Sequence, residues 1–238
     1  MSLEVLQSKS QYVEARRLLV KARVSSIDTR LQTVLRRLGL LRGISIGEVN
    51  KSWDVLQTLN FLASNVGKSE PVLDIGCYAS EIILAAYKAG FLDLTGADLD
   101  PGVRRMPLQH AIRYVVTDFM RTPFPNASFR AITSISVIEH GFNSAALLRE
   151  ISRLLMPDGF FTASFDYWPN KIDTDGIRFF GLDWKIFSKE DVKSFIDQAA
   201  SYGLTPAGYV KYEGTHAPIE CAGKKYTFAW LALKKAVR

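Results

Sequence analysis

From residue 71 onward the chain alternates short apolar runs with amphipathic stretches. PVLDI (71–75), LDLTGAD (92–98), IRYVVTD (112–118), RAITSIS (130–136) and FFTASF (160–165) read as strands. Roughly 80–89 reads as a helix with Ser80 as its cap and Gly90 as its stop. Residues 143–155 place Ala146, Leu147, Ile151, Leu154 and Leu155 on one side of a second helix. Ser188 with Asp191 three residues on predicts a capped helix to about residue 202. Two β-rich runs, 204–213 and 225–233, close the chain as a hairpin-like pair. This alternation predicts an open, mostly parallel sheet with helices on both faces.

The first fifty residues follow a different pattern. Ser25 with Asp28 resembles a capping box, and Ile27, Leu31, Val34, Leu35 and Leu38 then fall at helical spacing until Gly39 and Gly43. Arg30, Arg36 and Arg37 are interspersed. The spacing predicts a basic helical N-terminal arm over 1–50, laid on a domain of 51–238 or across its pocket. A membrane surface, nucleic acid or a protein partner is the other use such a helix could have.

Charge sharpens that division. The chain has 238 residues and a net charge of +6, and residues 1–43 hold 9 Lys/Arg against 3 Asp/Glu, which is the whole excess. Attraction to acidic partners is therefore expected in the arm, not in the main domain. At 47% hydrophobic residues the chain can bury one large core. It has no apolar run long enough for a membrane span, and its first residues lack the apolar region of a secretory signal. Cys77 and Cys221 are too few for a disulfide framework and form no metal-ligand pair, so no metal is expected and a reducing cytoplasm is the simplest location.

Three acids close three consecutive strands: Asp74, Asp98 and Asp118. Ligands of open parallel sheets bind at these carboxyl ends. A dinucleotide site needs glycines that let backbone amides approach a pyrophosphate, but VLDIGCYASE (72–81) keeps only Gly76, with Asp74 beside it. A carboxylate there repels phosphate. It suits S-adenosylmethionine, which carries a sulfonium, an ammonium, a ribose and an adenine. Asp98 would take the ribose hydroxyls and Asp118 the adenine amine, with Leu99 and Phe119 on the ring faces.

These segments, in order, resemble the class I S-adenosylmethionine-dependent methyltransferases of the broad type 11 group. VLDIGC resembles the first motif, TGADLDP the ribose-binding segment, and the run from VVTDF to SVIEHG the adenine-binding acid through the fourth strand. ALLREISRLLMPDGFFTAS resembles the helix and turn before the fifth strand, with PDG where the family usually has PGG. The resemblance covers about residues 70–165. It implies a Rossmann-like, seven-stranded sheet with an antiparallel last strand, and a donor site of Asp74, Gly76, Cys77, Asp98, Leu99, Asp118, Phe119 and Ser136. Tyr78 and Ser80 stand where the family has its second and third glycines, a departure tolerable if Tyr78 turns away from the ligand.

Methyl transfer is a displacement governed by alignment and exclusion of water, and a hydroxyl acceptor also calls for a base. His140, in IEHG beyond the fourth strand, stands at the pocket mouth in related enzymes and is the candidate base; ordering of its loop is the alternative. His110 and His216 have no supporting motif. The segment 166–187 is long for a connection, and its aromatics and acids suit a polyhydroxylated acceptor, with Tyr167, Trp168 and Trp184 as candidate contacts, or a packing lid. No N-P-P-[YF] or D-P-P-Y motif follows the fourth strand, and neither cysteine follows a proline, which argues against amino-group methylation of nucleobases or glutamine and against C-methylation of pyrimidines. The expectation is a cytoplasmic methyltransferase acting on a small molecule, with a sugar or glycoconjugate hydroxyl as acceptor. Two alternatives stay open: a non-catalytic cofactor-binding or interaction module, and a nucleic-acid methyltransferase using the arm. Nothing in the sequence fixes the oligomeric state.

Overall fold

The computed structural model describes residues 1–237. Its main sheet has nine strands: β1 (Leu3–Val5), β2 (Val72–Ile75), β3 (Leu94–Asp98), β4 (Ile112–Val116), β5 (Phe129–Ile135), β6 (Leu155–Tyr167), β9 (Leu204–Pro206), β10 (Ile219–Cys221) and β11 (Lys224–Lys235). A separate short hairpin joins β7 (Arg178–Phe179) to β8 (Leu182–Asp183). The helices are α1 (Lys9–Lys21), α2 (Arg30–Arg37), α3 (Ser52–Asn65), α4 (Ile82–Lys88), α5 (Ser144–Leu154) and α6 (Lys189–Ser201).

The sheet order is β1-β11-β6-β5-β2-β3-β4, with β9 and β10 also on β11. The pairs from β4 to β6 are parallel and β11 is antiparallel to β6. The open sheet and the antiparallel final strand expected from the sequence are present. The strand count exceeds the expected seven, because β1 and β10 add to the edge around β11. Only Leu204–Pro206 of the 204–213 run pairs with β11, so the closing hairpin is β10–β11 instead.

One apolar cluster lies under α5 and α6, and a second packs α3 and α4 on the opposite side of the sheet. Period-2 alternation sends Leu73 and Ile75 of β2 to the first and Val72 to the second. Asp74 shares the Val72 face and sits in register with Thr133 of β5.

The N-terminal segment differs from a wholly helical arm. Leu3 and Val5 are buried where β1 pairs with Leu231 and Ala229, because a three-residue L-E-V alternation can complete an existing sheet edge. The second helix starts at Arg30. Thr29, not Ser25, accepts the Gln32 amide, while Asp28 pairs with Arg36 at 2.7 Å. Ser25 instead serves a tertiary contact described below. Leu31, Val34 and Leu38 of this helix and its flank are exposed. Ser188 and Asp191 cap α6 reciprocally, as their spacing predicts.

Candidate functional site

The carboxyl ends of β2 to β6 lie along one edge of the sheet, and the strand order reverses between β2 and β5. Gly76 leaves β2 with φ +69°, and a Cβ there would lie 2.3 Å from Val137 Cγ2. Only glycine fits that turn. The family's other two glycines are replaced without loss of the loop. Ala79 itself takes a left-handed conformation (φ +58°), and the Tyr78 ring turns aside to pack on Gly102, where an added Cβ would meet it at 2.7 Å.

Asp74 is buried, and its Oδ1 accepts from Thr133 Oγ1 at 2.7 Å while Oδ2 has no partner. Burial pushes its carboxyl up to about 7; the Thr133 hydroxyl opposes this, and the Asp98 charge adds to it. A buried carboxylate oxygen with nothing to pair it is expensive. It fits a ligand that brings a positive group to the end of β2. Asp98 ends β3 and accepts from the Tyr78 and Asp100 amides, both at 2.8 Å, which fixes its carboxylate at the rim.

Cys77, expected among the donor contacts, is placed differently. Its thiol is buried in the core and would lie 2.7 Å from a Cβ on Gly96. Burial pushes the thiol pKa up, with Asp74 and Asp98 adding to the effect. Leu99 and Asp118 are exposed, and Phe119 is half-buried against the core; all three follow the ends of β3 and β4, outside the cavity beside the glycine loop.

That cavity encloses about 480 Å³ and joins Ala79 and Ser80 of the loop to Ser136, His140 and Trp184. Ser136 is left-handed (φ +53°) and its buried hydroxyl has no partner. Two non-glycine residues held at positive φ on one cavity wall are the kind of strain that functional sites retain. The 166–187 segment folds back over the loop after β5: Lys185 donates to the Glu139 carbonyl at 2.8 Å, and His140 bridges to Trp184. The turn of the β7–β8 hairpin, with Phe180 and Gly181 both at positive φ, holds the Phe180 ring 91% exposed and 5.7 Å from the His140 ring.

His140 Nδ1 is buried without a partner. Burial lowers its pKa, partly offset by Asp166, so the ring is held toward its neutral form. Of the aromatics expected to contact an acceptor, Trp184 lines the cavity and donates Nε1–H to Asp166 at 2.7 Å. Tyr167 does not. It is fully buried as the last residue of β6, with its hydroxyl donating to the Tyr212 carbonyl at 2.7 Å. Strand alternation turns it into the core. Trp168 is half-buried against the cluster that holds Trp184, Ile186 and Phe228, outside the cavity.

Several site residues carry little local signal in the sequence. Lys51 ends the 3-10 turn that leads into α3, Asp54 lies in the first turn of α3, Tyr226 is on β11, and Glu139 stands immediately before His140. Glu81, after the glycine loop, anchors the arm. Its Oε1 accepts from the Ser25 hydroxyl at 2.5 Å and the Ser26 amide at 2.6 Å, with Arg16 at 3.6 Å. Asp54 stands between Trp53 and Val55, both buried, and an acid between two core positions is the readable clue.

The comparisons with known proteins agree with this architecture. Residues 73–163 match the family model described as a methyltransferase domain. The sterol 24-C-methyltransferase of Gibberella zeae is 30% identical over 112 residues, covering 43% of this chain and 30% of that protein. Its Aspergillus fumigatus counterpart is 33% identical over 113 residues, with the same coverages. This chain thus spans about a third of the length of these curated relatives. Among solved structures, the cyclase SpnF matches 100% of this chain and 99% of its own, with a TM-score of 0.61 and 14% identity. A geranyl diphosphate methyltransferase in complex with SAM matches 76% and 85%, with a TM-score of 0.59 and 17% identity. An S-adenosylmethionine-dependent methyltransferase of Methanosarcina mazei matches 75% and 98%, at 0.58 and 14%. At these identities the structural likeness establishes the fold. The motif resemblance thus agrees with the methyltransferase-domain match over residues 73–163, and the chain has the fold of the methyltransferase structures it resembles.

Proposed function

We propose that this chain transfers a methyl group from S-adenosylmethionine to a small-molecule acceptor held in the cavity beneath the β7–β8 hairpin. The observation that carries the reading is the buried, unpaired Asp74 Oδ2 beside the left-handed Gly76 turn, at the strand-order reversal. S-adenosylmethionine supplies an electrophilic methyl on a sulfonium. The surrounding residues hold acceptors for its polar groups: Asp74 for the ammonium, Asp98 for the ribose, Asp118 for the adenine amine, with Leu99 and Phe119 beside the ring and Ser136 toward the cavity.

Residues 1–50 act as a cap. Glu81 ties Ser25–Ile27 down beside the loop, and the Gly47 amide donates to the Ala79 carbonyl at 2.8 Å. His140, kept neutral by burial, takes the acceptor's proton. A sugar acceptor rested on the aromatics and acids of 166–187, of which Asp166, Phe179, Phe180 and Trp184 line the cavity while Tyr167 and Trp168 do not, so the acceptor class is argued separately below.

The test is calorimetric titration with S-adenosylhomocysteine of the wild type and of Asp98→Ala. The wild type is expected to bind and the variant to lose at least tenfold, since a hydrogen bond to a charged acceptor contributes about 1.5–3 kcal/mol. No binding to the wild type, or equal affinity in both, refutes the reading.

A further inference from the structure

The cavity wall away from the glycine loop has an unusual charge inventory. Glu139 is 1% exposed and its Oε2 has no partner. Asp166, also buried, accepts the Trp184 Nε1–H at Oδ2, has the Tyr226 hydroxyl beside it, and has Lys51 Nζ 3.6 Å from Oδ1. Behind them Asp54 is fully buried, with the Ser164 hydroxyl beside a carboxylate that makes no hydrogen bond of ordinary length. Three carboxylates therefore share one ammonium, and His140 adds no compensating charge because burial favours its neutral ring. Without a ligand Asp54 and Glu139 resist ionising: burial pushes Asp54 up to about 7 and drives Glu139 well above its ordinary range, Asp166 raising both.

The same wall is aromatic. Phe179, Phe180, Trp184 and Tyr226 line it, and Trp184 stands edge-on to both Phe179 and Tyr226. Ring faces attract cations. The chain already places one there: Lys51 Nζ rests 3.4 Å from the centre of the Phe228 ring. No set of His, Cys, Asp and Glu among the described residues converges as a metal site, so the cation that suits this wall is an organic one. A neutral polyol would fill the hydrogen-bonding vacancies but would leave the acids protonated. An anion would be repelled.

We infer that the acceptor is a small organic cation, a protonated amine seated between the Glu139 and Asp166 carboxylates and the rings of Phe179, Phe180, Trp184 and Tyr226. This rests on the methyl-transfer reading. His140 Nδ1 takes one N–H proton from the bound ammonium and frees the nitrogen lone pair. The lone pair forms the new N–CH3 bond as the C–S bond breaks with its electrons remaining on sulfur. The products are an N-methylated ammonium and a neutral thioether, and the proton on His140 passes to solvent.

The test uses the full chain and tetramethylammonium chloride as probe, with sodium chloride at equal ionic strength and tert-butyl alcohol as a neutral molecule of similar shape. Binding is read from tryptophan fluorescence and thermal shift. Saturable binding of tetramethylammonium, at least tenfold tighter than the alcohol, is expected. Glu139→Gln should weaken it tenfold or more, and Lys51→Met should tighten it by removing the competing ammonium. The two variants move affinity in opposite directions, which misfolding cannot imitate. Equal binding of cation and alcohol, or a Lys51→Met variant with unchanged or weaker cation affinity, overturns the inference. S-adenosylhomocysteine is titrated in parallel. If it binds while tetramethylammonium does not, the amine inference alone fails; if it does not bind, the underlying methyl-transfer reading fails with it.

Discussion

Donor binding should release a proton from Asp74. Its carboxyl is held at about 7 because it is buried, with the nearby Asp98 charge adding to the effect and the Thr133 and Ser80 hydroxyls too weak to restore the ordinary value. An ammonium placed against Oδ2 favours the ionised form and brings the pKa back toward about 4. At pH 6 the free site is then about nine-tenths protonated and the bound site almost wholly ionised, so about 0.9 proton leaves per ligand bound. At pH 7 the figure is about 0.5. The same linkage weakens apparent donor affinity about fiftyfold between pH 7 and pH 5, because binding must first remove the proton. Calorimetry of S-adenosylhomocysteine binding in buffers of different ionisation enthalpy measures the release directly. Asp74→Asn should bind more weakly at pH 7 and release no proton from this site. Release below about 0.2 proton at pH 6, or equal release from the variant, would show that the Asp74 carboxylate does not meet the ligand's charge.

Two further outcomes follow from the buried groups. With an identified acceptor, His140→Ala should lower kcat by about 10²–10⁴-fold if the ring accepts the proton, with a smaller effect on KM; because the His140 pKa is lowered, the acid limb of the wild-type kcat profile should fall below the ordinary histidine range, and a loss under tenfold would reduce His140 to a loop-ordering residue. Asp54 has a folded pKa of about 7 against an ordinary 3.8, so the folded state holds a proton that the unfolded state has lost between those values, and the stability contribution of this group rises as pH falls across that window; thermal melts of Asp54→Asn should show a shallower gain from pH 7.5 to pH 5 than the wild type, and parallel curves would contradict the assignment.

The parts of this molecule that were legible in the sequence are those fixed by neighbours along the chain. Asp74, Asp98 and the Gly76 turn follow from apolar runs ending in acids, and the Ser188–Asp191 cap from a three-residue spacing. The parts that were not legible depend on distant partners. Ser25 looks like a helix cap, yet Glu81, 56 residues away, takes its hydroxyl. Leu3–Val5 is too short to announce a strand and becomes one only because β11 offers an open edge. Tyr167 and Trp184 look equivalent as aromatics of one segment. One is turned into the core by the alternation of β6, and the other is brought over the cavity by the return of the chain against His140. The cluster of Lys51, Asp54, Glu139 and Asp166 draws on three separate stretches, and its common burial exists only in the folded chain.

The most direct measurement is a crystal structure of the protein soaked with S-adenosylhomocysteine. The account predicts the ligand across the β2 and β3 ends, with its ammonium on Asp74, its ribose on Asp98, and its sulfur facing the cavity of Ser136 and His140. A ligand bound elsewhere, or no ligand density at saturating concentration, would contradict it.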